Sequence, residues 1–247
     1  MNINMLDKDD RIQHMNVDAI ASKYDSNGEW FEIIINDGRN RVAVISGPPG
    51  TPPDPHIHAD YNEWWINVGG KTQWQIGQYK PFIAEWGDVV IAPAGYCHDI
   101  RPKGTGPGLR IVATHPNSNH DVRGIAPSRL IPVEYELPMP NLIHTRYSWL
   151  KKMLGTDTDW KQPIVDDNRN LLQIIQSATK SKQSDQRIAS GDEWFVVLEG
   201  TTAIETDRQS NLNLVTGDIV LVESGTKYRV QNTGNDTSTI ALVNESS

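Results

Sequence analysis

The chain of 247 residues is long enough for one large domain or two of ordinary size, and 37% apolar with 22% charged residues is the composition of a globular protein. A formal charge of −8 and a pI near 5.3 exclude the basic footprint that a nucleic-acid partner requires. No run approaches the roughly 18 apolar residues of a membrane helix, MNINMLDKDDRIQ at the N-terminus lacks the apolar segment of a signal peptide, and the single cysteine, Cys97, excludes a disulfide framework and a cysteine zinc site. A cytoplasmic protein without nucleic-acid or membrane partners is expected.

In chain order, NVDAIASKYD predicts one short helix. From Trp30 onward WFEIII, RVAVIS, EWWINV, TQWQIG, DVVIAP and LRIVAT are short runs rich in Val, Ile and Trp, punctuated by Gly, Pro, Asn and Asp. That pattern predicts several short antiparallel strands in a sandwich or barrel. Residues 116–142 carry many Pro, Asn and Ser and read as an extended connection. TRYSWLKKML (145–154) has apolar residues at helical spacing, and strand text resumes at NLLQIIQ (170–176).

Sliding the sequence by 130 residues places EWWINVGG (63–70) over EWFVVLEG (193–200), and without a gap GDVVIAPAG (87–95) over GDIVLVESG (217–225). Two copies of one β-unit follow. In this alignment His56 faces Gln186, His58 faces Ile188 and His98 faces Tyr228, while Glu63 keeps a partner in Glu193. The imidazoles lie only in the first copy, so function is expected in the N-terminal half. Glu193, left without imidazoles, is expected to pair with a neighbouring polar group.

His56, His58, Glu63 and His98 are the candidate metal ligands. Residues i and i+2 of a strand face the same way, so His56 and His58 can converge on one ion. Imidazole and carboxylate donors together suit Fe(II), Mn, Ni, Cu or Zn. Alternation from Glu63 sends Trp65 and Asn67 inward with the metal and Trp64 outward, which makes Trp65 a candidate pocket wall. His14, His115, His120 and His144 lie outside the pattern and read as ordinary surface or loop histidines. Cys97 faces away from His98 and reads as packing, as do most of the other tryptophans, Trp74 and Trp86 among them.

GTPPDPHIHADYNEWWINVGG and GDVVIAPAGYCH together resemble the two motifs of the cupin superfamily. The resemblance implies an all-β chain of two cupin (jelly-roll) barrels with a partly helical connection: residues 1–120 a metal-binding cupin, 121–162 the connection, 163–247 a degenerate cupin without metal. Within that superfamily, AVISGPPGTPPDPHIHADYNEWWINVGG and PAGYCHDIRPKGTGPGLRIV resemble the 3-hydroxyanthranilate 3,4-dioxygenase family. That likeness matches His58, Glu63 and His98 to three iron ligands and Arg101 to the arginine that holds a substrate carboxylate. Asp54 stands where that family has a second substrate arginine, and Arg110 is the charge on the strand after Arg101. His56 has no counterpart there and reads either as a fourth ligand or as an acid/base group beside the metal.

The implied activity is a non-haem Fe(II)-dependent dioxygenase using O₂ and a small aromatic or hydroxylated carboxylate, with His56 and Arg101 in catalytic roles and Trp65, Arg101 and Arg110 on the substrate. The alternative is a redox-neutral, metal-dependent isomerase or lyase. Trp-rich strands also raise two quaternary expectations, a homodimer or a monomer whose second copy covers the first.

Overall fold

The computed structural model describes residues 11–118, 122–123, 139–178, 185–207 and 211–246. It divides into an N-terminal unit, Asp18–Met153, and a C-terminal unit that joins the residues up to Val17 to those from Leu154 onward. Every strand pairing among the described residues is antiparallel. His120 and most of the 116–138 stretch lie outside the described residues.

In the N-terminal unit a six-stranded sheet runs in the order His144–Thr145, Val89–Ala92, Glu63–Gly69, Gly108–Thr114, Arg41–Gly47 and Trp30–Asn36. A second sheet orders Val122–Arg123, His56–Ile57, His98–Lys103, Lys71–Ile76 and Phe82–Ala84. Runs such as EWWINV are apolar on both faces because the central strands are buried on both, and Trp64, Trp65, Ile66 and Val68 are all sequestered from solvent. Trp65, Trp74, Ile76, Val90 and Val112 form the core of this unit.

The C-terminal unit repeats the plan. Its six-stranded sheet is Ile12–Asn16, Asp218–Val222, Glu193–Glu199, Ser238–Glu245, Asn170–Ser177 and Trp160–Asp166; its four-stranded sheet is Arg187–Ile188, Lys227–Asn232, Thr201–Thr206 and Leu212–Val215. Phe195, Val197, Val220, Val222 and Leu242 sit at its centre. The same turns recur at the same offset. Gly70 (φ 61°) and Gly200 (φ 80°) each follow the long central strand, and a Cβ on either would come within 2.2 Å of the Pro107 carbonyl oxygen or 2.4 Å of that of Thr237. Only glycine fits there.

The unit boundaries differ from the sequence expectation of 1–120 and 163–247, and the repeat explains why. Each copy opens earlier than its strand text, with a short strand and a helix: Ile12–Asn16 then Val17–Ala21, and His144–Thr145 then Tyr147–Leu154. The strand that opens one copy belongs to the sheet of the other. Met15 pairs with Ile219, and Thr145 with Val89. A buried aspartate receives each of them. Asp88 accepts the Tyr147 N–H at 3.0 Å and lies 2.9 Å from His144 Nε2; Asp218 accepts Asn16 Nδ2 at 2.8 Å and lies 3.1 Å from His14 Nε2. Both histidines that the sequence set aside as ordinary are thus anchors of an exchanged strand. No described helix is long and apolar enough to cross a membrane.

Candidate metal centre

His56 lies on a two-residue strand whose only partner on one side is His98 itself. Cross-strand partners present their side chains on the same face, so this register sets the two imidazoles side by side. His58 lies just past the strand end, where its carbonyl accepts the N–H of Gly95 at 2.7 Å. Glu63 opens the central strand of the opposite sheet. The ligand set therefore bridges both sheets of the barrel, and all four side chains are buried.

The four donor atoms lie within 4.8 Å of one another, the only such group of His, Cys, Asp or Glu among the described residues. His58 Nε2 is 2.9 Å from Glu63 Oε2, His98 Nε2 is 3.0 Å from the same oxygen, and His56 Nε2 is 2.9 Å from His98 Nε2 and 3.8 Å from Glu63 Oε2. Adjacent donors of an octahedral ion with bonds of about 2.1 Å stand about 3.0 Å apart. The outer nitrogens fix the ring orientations. His56 Nδ1 is 2.6 Å from the Asp54 carbonyl oxygen, which can only accept, so Nδ1 carries the proton and Nε2 presents a lone pair. The Tyr96 carbonyl holds His98 Nδ1 in the same sense at 3.4 Å. Two lone pairs facing each other at 2.9 Å repel unless a cation lies between them. The donor set fits a divalent transition metal.

The electrostatics agree. Burial alone would raise the Glu63 carboxyl, but the surrounding imidazoles of His56, His58 and His98 outweigh it and hold the group well below the usual carboxylate range. Burial is the largest influence on His98 and keeps that imidazole neutral, the form that ligates a metal, although Glu63 pulls the other way.

Beside the ligands is a cavity of about 440 Å³ that His56, Glu63, Trp65, Ile100 and Arg110 help to line. Trp65 stands edge-on to His98 with ring centroids 5.2 Å apart, backed by Trp74 at 4.4 Å. Arg110 faces the cavity with its Nε buried and unpartnered. Desolvation pushes its guanidinium down to about 10, with Glu63 and Glu29 acting in the opposite direction, so it remains a cation at neutral pH.

Arg101 is not at this site. It lies three residues from His98 on one strand, hence on the opposite face. Its side chain is 52% exposed, donates to Asp99 Oδ2 at 2.8 Å, and borders a separate hollow with Gln73 and Gln75. Asn67 points inward as expected but serves the backbone, donating to the Gly70 carbonyl at 3.2 Å. Cys97 is buried and its thiol is raised to about 11 by desolvation and then by Asp99. Tyr61 was not singled out by the sequence, yet its hydroxyl lies 2.6 Å from His58 Nδ1. No spacing rule signals a residue whose reach depends on the shape of a loop.

In the C-terminal unit, Arg187 pairs with Tyr228 as His56 pairs with His98, and the Gly225 N–H donates to the Ala189 carbonyl as that of Gly95 does to His58. The equivalents of His56 and His58 are therefore Arg187 and Ala189, one residue beyond the Gln186 and Ile188 of the ungapped alignment. Arg187 Nη2 donates to Glu193 Oε1 at 2.7 Å, and the Tyr228 hydroxyl donates to Oε2. A guanidinium and a phenol satisfy the carboxylate whose counterpart faces three imidazoles, which meets the expectation that Glu193 finds a polar partner.

Residues 178–243 match the family Cupin_2, described as a cupin domain. No curated protein matches the chain. Among solved structures, a Cupin 2 conserved barrel domain protein from Leptotrichia buccalis aligns with a TM-score of 0.66 at 13% identity, covering 94% of this chain and 96% of that one. A salicylate 1,2-dioxygenase from Pseudaminobacter salicylatoxidans gives 0.62 at 14%, covering 83% and 71%. An oxalate decarboxylase from Lactobacillus farciminis gives 0.55 at 13%, covering 91% and 83%. At these identities the likeness speaks for architecture, and it agrees with the strand orders above: the chain has the cupin fold.

Proposed function

We propose that the N-terminal unit is a metal-dependent enzyme for small, flat, carboxylated or hydroxylated molecules, and that with Fe(II) it acts as a dioxygenase. The observation that carries this reading is the convergence of three imidazoles and a carboxylate beside a cavity that also holds a buried guanidinium and an indole. A salicylate dioxygenase of the same fold supports it.

The ion, when bound, supplies Lewis acidity and a route for electrons between substrate and O₂. His56, His58, Glu63 and His98 would hold it. Glu63 offsets part of its charge, while the Asp54 carbonyl and the Tyr61 hydroxyl orient two of the imidazoles. Arg110 binds the substrate's anionic group, a role its unpartnered Nε leaves open and that Arg101, on the outer face, cannot fill. Trp65 packs against the ring.

One observation favours the redox-neutral alternative. His56 Nε2 lies among the other donors, and four protein ligands leave two positions on an octahedral ion. Substrate binding through two atoms would then occupy both, which suits an isomerase or lyase. Oxygen uptake by anaerobically Fe(II)-loaded protein, across hydroxybenzoates, aminophenols, catechols, enediols and hydroxy acids, separates the two. Uptake that disappears in His98→Ala is expected. Turnover under nitrogen with Mn(II) or Zn(II), and no oxygen consumption with any compound, would overturn the dioxygenase reading in favour of the alternative.

A further inference from the structure

The C-terminal unit has a cavity of its own, about 130 Å³, between its two sheets. Ile175 and Ile240 line it from one sheet, Tyr228 and Val230 from the other. It occupies the position of the metal-site cavity in the other copy. Ile175, Val230 and Ile240 stand 130 residues after Ile45, Ile100 and Arg110, all of which line that first cavity. The register repeats as well, since Ile240 pairs with Ile175 as Arg110 pairs with Ile45. Core side chains do not close this space, although no imidazoles occupy it and an empty cavity is destabilising.

Its chemistry differs from that of the first. The anion anchor has become Ile240. The charge of Arg187 is engaged by Glu193, and the exposed Asp185 at the rim adds a negative charge. Neither a carboxylate nor a metal is favoured. The Tyr228 hydroxyl donates its hydrogen bond to Glu193, so its oxygen is left as an acceptor. Ile175, Val230, Ile240 and Leu242 offer an apolar face, and Ser177, Thr202, Ser238 and Tyr228 bring hydroxyl-bearing side chains to the lining; together they suit a neutral ring bearing a hydroxyl, and the volume is close to the roughly 150 Å³ in which an apolar cavity takes up benzene. We propose that the C-terminal unit is a second, metal-independent binding site for a neutral, phenol-sized molecule.

The test is phenol binding to the full-length, metal-free protein, by calorimetry and ligand-observed NMR, with benzoate as the charged comparison. Saturable phenol binding is expected, unchanged in His98→Ala and at least tenfold tighter than benzoate. Val230→Phe, which fills the space, should weaken it at least tenfold. Ile175→Phe fills the cavity from the opposite sheet and keeps the test decisive if Val230→Phe fails to fold. Absence of saturable binding, loss of binding in His98→Ala, a preference for benzoate, or equal binding in both folded filling variants would each overturn the proposal. None of these outcomes depends on the activity assigned to the N-terminal unit.

Discussion

If the four-residue cluster holds a metal, His56 decides how many positions stay free, and its removal has a calculable effect. Its Nε2 lies 2.9 Å from His98 Nε2 and 3.8 Å from Glu63 Oε2, inside the donor cluster rather than behind it. Tyr61, by contrast, meets His58 at its outer nitrogen, away from the donor cluster. Loss of an outer partner typically weakens metal binding about 10–100-fold. Loss of a direct ligand should exceed that, so His56→Ala is expected to cost at least about 100-fold, or roughly 2.8 kcal/mol at 1.4 kcal/mol per decade. Tyr61→Phe should cost about tenfold, near the low end of the outer-partner range. Competition of the metal-free protein against a chromophoric chelator for Mn(II) or Zn(II) measures both. His58→Ala and His98→Ala mark the full effect of a lost ligand. If His56→Ala binds within about threefold of the parent while those two lose binding, the four-ligand centre is refuted and three open positions return.

Arg110→Met should raise KM for a carboxylated substrate about ten- to a hundredfold with a smaller change in kcat, because a charge-assisted hydrogen bond contributes roughly 1.5–3 kcal/mol; an unchanged KM in steady-state kinetics would place the anionic group elsewhere. In the C-terminal unit, Arg187→Met should destabilise the protein by about 2–3 kcal/mol, below the loss for a fully buried pair because Arg187 is 37% exposed. Adding Glu193→Leu should restore most of that in urea unfolding of the metal-free protein, and a double variant no more stable than the single one would contradict the pairing. Asp218→Asn should cost about 1–2 kcal/mol at pH 7. Burial raises the Asp218 carboxyl, but His14, the Val215 N–H and Asn16 outweigh it and hold the group below its ordinary value. Its contribution is therefore complete at neutral pH and lost as pH falls below about 4 through the folded value. Urea midpoints of parent and variant should converge there, and parallel pH profiles would refute the anchor.

The ligands were legible because strand periodicity and motif spacing constrain the same four residues. Arg101 was misplaced because likeness to a family took precedence over alternation. Counting from His98 puts residues 98, 100 and 102 inward, and the structure indeed sends Ile100 to the cavity and Arg101 to solvent. Arg187 was missed for a different reason. The loop before it is one residue out of step with its counterpart, and an ungapped comparison carries the blocks after the loop but not the two-residue strand within it. The exchanged opening strands were also within reach, since His14 and His144 stand at the repeat offset. Nothing in either short segment, however, indicates which sheet it joins. That choice is made by Asp88 and Asp218, each buried at the sheet edge with acceptors to fill.

The partners Glu193 has in place of imidazoles follow from the cost of a buried carboxylate. A carboxylate this deep is tolerated only beside a positive charge and a full set of donors. Glu63 meets that requirement with three imidazoles placed to hold a cation; Glu193 meets it with the guanidinium of Arg187 and the hydroxyl of Tyr228. The substitutions at 187 and 228 are coupled for that reason. Tyrosine at 228 alone supplies one donor and no charge, whereas arginine at 187 alone leaves one carboxylate oxygen without its partner. Ala189, at the position of His58, supplies neither donor nor charge and packs into the core. The imidazole cluster and the ion pair are thus two solutions to one electrostatic demand, set by a glutamate at the start of the corresponding central strand.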